Sequence, residues 1–168
     1  MSVNWTKGFE DCLPTKQEVD ALESQWGMVL PTLYKSHLLN YAGCFPDRKT
    51  LHFQKDSNSR IRYFGFVQLC HLKNDSNYPY FTSSVQFRSE MYNDSIDRFE
   101  DLDIEDIPIW PICTNGSNGG FFFDYREGSS NPRIGFYGND LHFLDPDDTT
   151  IFPAGFTYEH LLELLVVD

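Results

Sequence analysis

The apolar positions of this chain follow a helical period at the start, a strand period in the middle and a helical period again near the end. Val19, Leu22 and Trp26 recur at i, i+3 and i+7, which places them on one face of a helix. Thr15-Lys16-Gln17-Glu18 stands before them as a capping box, the threonine hydroxyl and the glutamate closing the first turn. Gly27 ends the pattern, so the spacing predicts a helix over 16–26. Leu30-Pro31 opens a second helix over 31–42. Proline suits a first turn because the amide it lacks would be unpaired there. Tyr34, Leu38 and Tyr41 follow at helical spacing, and Gly43 sits where that helix stops.

From residue 50 the period shortens to two. Leu51-His52-Phe53 alternates, Asp56 to Ser59 is a polar turn, and Ile61 to Val67 reads as a strand. Residues 73–84 are polar and loop-like, and 88–102 has helical character interrupted at Asn93-Asp94-Ser95. Ile107 to Cys113 is a strand whose prolines favour an edge or a strand start. Asn115 to Gly120 is a tight turn suited to positive φ, Phe121 to Tyr125 a second strand, Gly128 to Pro132 a turn, and Ile134 to Tyr137 a third strand. Thr157 caps a closing helix that Leu161, Leu162, Leu164 and Leu165 bury. These elements predict an α+β fold, a mostly antiparallel sheet flanked by N-terminal and C-terminal helices. With no repeat and no dividing linker, residues 1–168 read as a single domain.

Composition narrows the class. The chain is 40% apolar and 16% aromatic, which suits a packed core. No apolar run approaches the ~18–20 residues of a membrane span, and Met1 to Glu10 lacks the form of a signal peptide. A cytoplasmic protein is expected. Cys12, Cys44, Cys70 and Cys113 lack metal-ligand spacing and are expected to be free and mostly buried. The four Asn-x-Ser/Thr sequences are chance matches without a secretion signal.

Charge carries more information. Thirteen basic residues against 25 acidic ones give −12, which repels nucleic acid and anionic membrane alike and suits a basic partner protein. Residues 90–106 hold Glu90, Asp94, Asp97, Glu100, Asp101, Asp103, Glu105 and Asp106 against Arg98 alone. That stretch supplies −7 of the net charge and is a candidate partner-binding segment that can steer a basic protein. Asp145, Asp147 and Asp148 form a smaller acidic group.

Other chemistries find less support. Asp101-x-Asp103-x-Glu105 lacks the glycine and the terminal glutamate of a calcium loop. Phe121 follows the glycine turn where a phosphate loop needs lysine. Cys70 and His71 are adjacent, so on a strand they would face opposite ways. There is no nucleophile elbow and no zinc-protease motif. No catalytic centre, metal or cofactor is expected. The 27 aromatic residues, Phe121 to Phe123 and Tyr78-Pro79-Tyr80 among them, fit a Phe-rich core or an aromatic cleft for a glycan or peptide.

Leu30, Pro31, Tyr34, Leu38, Leu39 and Gly43 fit a pattern of Leu-Pro-x-x-Tyr-x-x-x-Leu-Leu ending in Asn-Gly-Gly, with Ala42 and Cys44 in place of the asparagine and the second glycine. Ile107 to Tyr125, Arg133 to Tyr137 and Phe156 to Leu165 extend the match to roughly 15–165. In these respects the chain resembles the SUKH superfamily, best known for immunity proteins that bind and silence bacterial toxins. The resemblance implies a non-catalytic protein whose partner is a cognate toxin. The acidity suggests a basic nuclease domain as that toxin, with Asp94, Asp97, Glu100, Asp101, Asp103, Glu105 and Asp106 in the contact. A regulatory scaffold or adaptor of the same fold is the alternative.

Overall fold

The computed structural model describes residues 3–6, 12–53, 62–73, 83–89, 108–116, 119–137 and 149–167. In chain order the elements are β1 (Trp5–Thr6), α1 (Lys16–Trp26), α2 (Thr32–Tyr41), β2 (Phe45–Pro46), β3 (Thr50–Phe53), β4 (Arg62–Gly65) and β5 (Gln68–Leu69). A helical segment over 84–89, here α3, follows. Then come β6 (Ile109–Thr114), β7 (Gly120–Asp124), β8 (Arg133–Tyr137), β9 (Thr149–Ile151), α4 (Tyr158–Glu163) and β10 (Leu165–Val166). The fold is α+β, and the paired strands are antiparallel, as the sequence predicts. They form a five-stranded sheet β5-β6-β7-β8-β9, a three-stranded sheet β10-β3-β4 and the pair β1-β2.

α1 forms where its caps place it. The Thr15 side chain accepts from the Glu18 amide while the Glu18 carboxylate accepts from the Thr15 amide at 2.7 Å. Gly27 closes the helix in the left-handed region at φ 62°. Val19 is buried, and Trp26 meets Trp110 of β6 edge to face at 4.6 Å. α2 has Pro31 at its N-cap and buries Tyr34 and Leu38. It ends in a tight turn, in which the Cys44 amide donates to the Tyr41 carbonyl at 2.9 Å and Gly43 takes φ 75°. This is a type II geometry that requires glycine at its third position. The asparagine and second glycine absent here are therefore not needed for the turn.

The core lies between α1, α2, α4 and the large sheet. Phe121, Phe122 and Phe123 are all buried, so β7 is covered on both faces. Phe121 meets Phe136 at 4.9 Å, and Phe64 of the smaller sheet meets Phe136 at 4.7 Å, an aromatic layer joining the two sheets. Such pairs add about 0.5–1.5 kcal/mol each beyond the area they bury. On the opposite face, the Phe122 ring lies over Gly135, leaving no room there for a side chain.

Two expectations need correction. β6 is an internal strand between β5 and β7, although it contains Pro111. Its register shifts between Pro111 and Cys113, and the two-residue β5 pairs only with Thr114 and Cys113. The missing amide of Pro111 thus falls where no ladder bond is required. The closing helix stops at Glu163: Leu164 is 42% exposed, and Leu165 pairs with Leu51 of β3. An apolar run of that length suits either a helix or a strand, and the free edge of β3 decides between them.

Candidate functional site

The sequence-predicted contact residues Asp94, Asp97, Glu100, Asp101, Asp103, Glu105 and Asp106 lie outside the described residues, as do Glu90, Asp145, Asp147, Asp148, Tyr78 and Tyr80.

Among the described residues, most carboxylates are already engaged. Lys35 bridges Asp20 at 2.7 Å and Glu23 at 2.5 Å, and Asp20 also pairs with Lys16. Hydrogen bonds from Lys16 and Lys35 hold the Asp20 carboxyl below its ordinary range. Arg126 meets Asp124 at 2.7 Å, and Arg133 meets Glu127 at 3.2 Å. The Glu23 carboxylate also accepts from the Leu30 amide at 2.7 Å, fixing the corner between α1 and α2. These charges hold the helices and hairpins in place.

Three of the four thiols are buried in the core, and Cys44 is half-buried. Cys12, Cys70 and Cys113 are buried, and none of the four cysteines forms a disulfide. Burial pushes the Cys70 and Cys113 thiols far above their ordinary range, which keeps both protonated and unreactive. His71 is completely buried, and its Nδ1 accepts from the Lys73 amide at 3.1 Å. Among the described residues no three His, Cys, Asp or Glu side chains come together as a metal site.

The glycine-rich turn is the hairpin connection between β6 and β7. The Asn115 amide donates to the Gly119 carbonyl at 2.9 Å, the Gly116 amide to Thr114 Oγ1 at 3.0 Å, and the Gly119 amide to Asn115 Oδ1 at 3.2 Å. These three amides, which a phosphate cradle would aim outward, are used inside the turn. Phe121 to Phe123 lie in the core. A groove of about 250 Å³ between α1, Leu72-Lys73 and α3 is lined by aliphatic and polar side chains, with no aromatic among them.

The aromatic side chains that do reach the surface lie elsewhere. Tyr63 of β4 is 66% exposed and meets exposed His52 of β3 at 4.7 Å. Tyr41, at the end of α2, stacks with Trp5 of β1 at 5.6 Å and is 37% exposed. Sequence reasoning missed this second cluster, because Trp5 stands alone in a polar stretch and only the pairing of β1 with β2 places it there.

Among the described residues no helix is long and apolar enough to cross a membrane. The profile of the SMI1 / KNR4 family (SUKH-1) matches residues 13–157. That span runs from the residue before Pro14 to the cap of α4, and it includes both long helices and the whole large sheet. Neither a curated protein nor a solved structure matches the chain.

Proposed function

Because the chain belongs to the SMI1 / KNR4 family (SUKH-1), we propose that it is an immunity protein, which binds a cognate toxin in the cytoplasm and blocks its active site or substrate path. Family membership carries this reading. On it, residues 1–168 act as one domain with no catalytic step, and the work is done by complex formation.

The charge distribution supports a choice of toxin. A nuclease grips phosphate with lysine and arginine, so its substrate surface is positive. The run of eight acidic residues against Arg98 alone in 90–106 offers concentrated negative charge to such a surface. Asp94, Asp97, Glu100, Asp101, Asp103, Glu105 and Asp106 are the proposed contact, imitating the charge of the substrate. Steering of this kind raises association rates by ~10–10³-fold and weakens with salt. A regulatory scaffold of the same fold, with acidity serving solubility alone, is the second reading.

Co-expression with a candidate toxin drawn from the neighbouring genes separates the two. The immunity reading expects surviving cells and a complex that co-purifies. Cell death in the presence of the folded protein, with no co-purification, would overturn it. Neutralising Asp97, Glu100, Asp101 and Asp103 as amides is expected to slow association about tenfold at low salt. Unchanged association would remove the acidic contact and leave the immunity role standing.

A further inference from the structure

The chain has ten asparagines, and glycine follows only Asn115 and Asn118, both in the connection between β6 and β7. An asparagine side chain is open to attack at Cγ by the backbone nitrogen of the next residue. A Cβ on that next residue obstructs the approach, and glycine removes the obstruction. Asn115 is half-buried and Gly116 is exposed, so water reaches the pair. Gly116 stands in the left-handed region at φ 84°.

The turn adds two hydrogen bonds whose polarity suits that attack. The Gly119 amide donates to Asn115 Oδ1 at 3.2 Å. Negative charge develops on this oxygen when Cγ is attacked, and a fixed amide donor stabilises it. The Gly116 amide donates to Thr114 Oγ1 at 3.0 Å, so an acceptor already holds the proton that the attacking nitrogen must lose. A third bond, from the Asn115 amide to the Gly119 carbonyl at 2.9 Å, closes the turn and keeps the other two in place. Thr114 itself is buried at the end of β6, which fixes its hydroxyl.

We propose that Asn115 is a site of self-modification, where the Asn115-Gly116 pair closes to a succinimide and reopens as isoaspartate or aspartate. In the first step the Gly116 nitrogen bonds to Asn115 Cγ. The Cγ–Nδ2 bond breaks, and Nδ2 leaves as ammonia with the proton from Gly116. One water then adds across either ring C–N bond. Opening at Cγ gives aspartate, and opening at the Asn115 main-chain carbonyl gives isoaspartate; neither step oxidises or reduces anything. Both products replace a neutral amide with a carboxylate. Aspartate keeps the main chain and turns the Gly119 bond into a charge-assisted one. Isoaspartate routes the main chain through Cγ and lengthens it where there is little room. A Cβ at Gly65 of β4 would lie 3.3 Å from Asn115 Cβ, and one at Gly116 would lie 3.4 Å from Val67. The Val67 amide donates to the Thr114 carbonyl at 2.8 Å, so the turn abuts the segment that joins the two sheets. Isoaspartate there strains the joint.

The folded natural chain is held at pH 8.5 and 37 °C beside an end-blocked peptide of residues 114–120, and samples are mapped by mass spectrometry. Each conversion adds one mass unit. Electron-transfer fragmentation assigns it to Asn115 or Asn118 and separates isoaspartate from aspartate. Asn115 is expected to convert at least as fast in the folded chain as in the peptide, with isoaspartate the major product. Thr114→Val removes the acceptor and is expected to slow conversion at Asn115 about tenfold, below the ~10²–10⁴ of a full general base. The isoaspartate form, collected by anion exchange, is expected to melt below the natural chain. Asn115→Asp, which has the charge without the longer main chain, should melt close to it. Asn115 left intact in the folded chain while the peptide converts would overturn the proposal, as would equal or faster conversion in Thr114→Val. An isoaspartate form as stable as the natural chain would overturn the strain at the joint. If Thr114→Val does not fold, the comparison of chain with peptide decides alone.

Discussion

Replacing Tyr34 by Phe removes one oxygen from the centre of the core and tests how the Leu-Pro-x-x-Tyr helix is locked to the sheet. Tyr34 and Trp110 are both completely buried. Trp110 Nε1 donates to the Tyr34 hydroxyl at 3.2 Å, and that hydroxyl in turn donates to the Pro111 carbonyl at 3.4 Å. Pro111 loses little, because Ser84 Oγ already donates to the same carbonyl at 2.9 Å. Trp110 loses its partner, and leaving a buried N–H unpaired costs about 1–3 kcal/mol. The expected loss for Tyr34→Phe is therefore about 2 kcal/mol, with a fall in Tm of about 4–8 °C for a chain of this size. Urea denaturation followed by circular dichroism measures it, with an unchanged m-value showing that the loss is in stability. In a Trp110→Phe background the unpaired donor is gone, so the same substitution should cost under about 1 kcal/mol. A cost below about 0.5 kcal/mol in the natural background, or equal costs in both, would refute the argument.

Two further outcomes follow from the same packing. A Cβ at Gly120 would stand 1.9 Å from the Cys113 carbonyl oxygen, a backbone atom that cannot move without parting β6 from β7. Gly120→Ala should cost more than about 4 kcal/mol, seen as loss of soluble folded protein, whereas Gly155→Ala, which meets nothing within 4 Å and bears only the strain of φ 85°, should cost about 1–2 kcal/mol and leave the protein folded. Acidification should destabilise the fold in two stages. Burial lowers the His37 pKa from 6.5, with Glu159 partly opposing, so the unfolded chain takes up that proton first. The contribution of His37 is full above pH 6.5 and is lost as pH falls below it. Glu18 and Asp20, both held low by hydrogen bonds, give a second loss below about pH 4, their ordinary range. Melting temperatures from pH 8 to pH 3 show both stages, and His37→Gln should remove only the first.

How much of this was legible in the sequence depended on whether the signal was local. α1 could be read to the residue because its capping box, apolar face and stop glycine all lie within one short stretch. The β6-β7-β8 meander was equally plain, its turns marked by glycine and asparagine. The two-residue strands β1, β2, β5 and β10 carry no local mark, and each exists only through a partner distant in the chain. Pro111 misled because edge strands usually accommodate proline, while here a register shift does so inside the sheet. Leu164 and Leu165 misled because a leucine run fits either period. The acidic segment was legible as charge alone: its seven proposed contact residues lie outside the described framework. The aromatic cluster around Trp5 was not legible at all, since Tyr41, His37 and Phe66 read individually as packing residues.

The central claim is that this chain neutralises a toxin by binding it, and a titration of toxin activity tests that most directly. Purified natural chain is added in steps to a fixed amount of a candidate toxin domain drawn from the neighbouring genes, well above the dissociation constant, and the rate of the toxin reaction is followed. The account predicts a linear fall to zero at one equivalent, as a tight stoichiometric complex requires. Toxin activity that stays unchanged at tenfold excess of folded protein would contradict it.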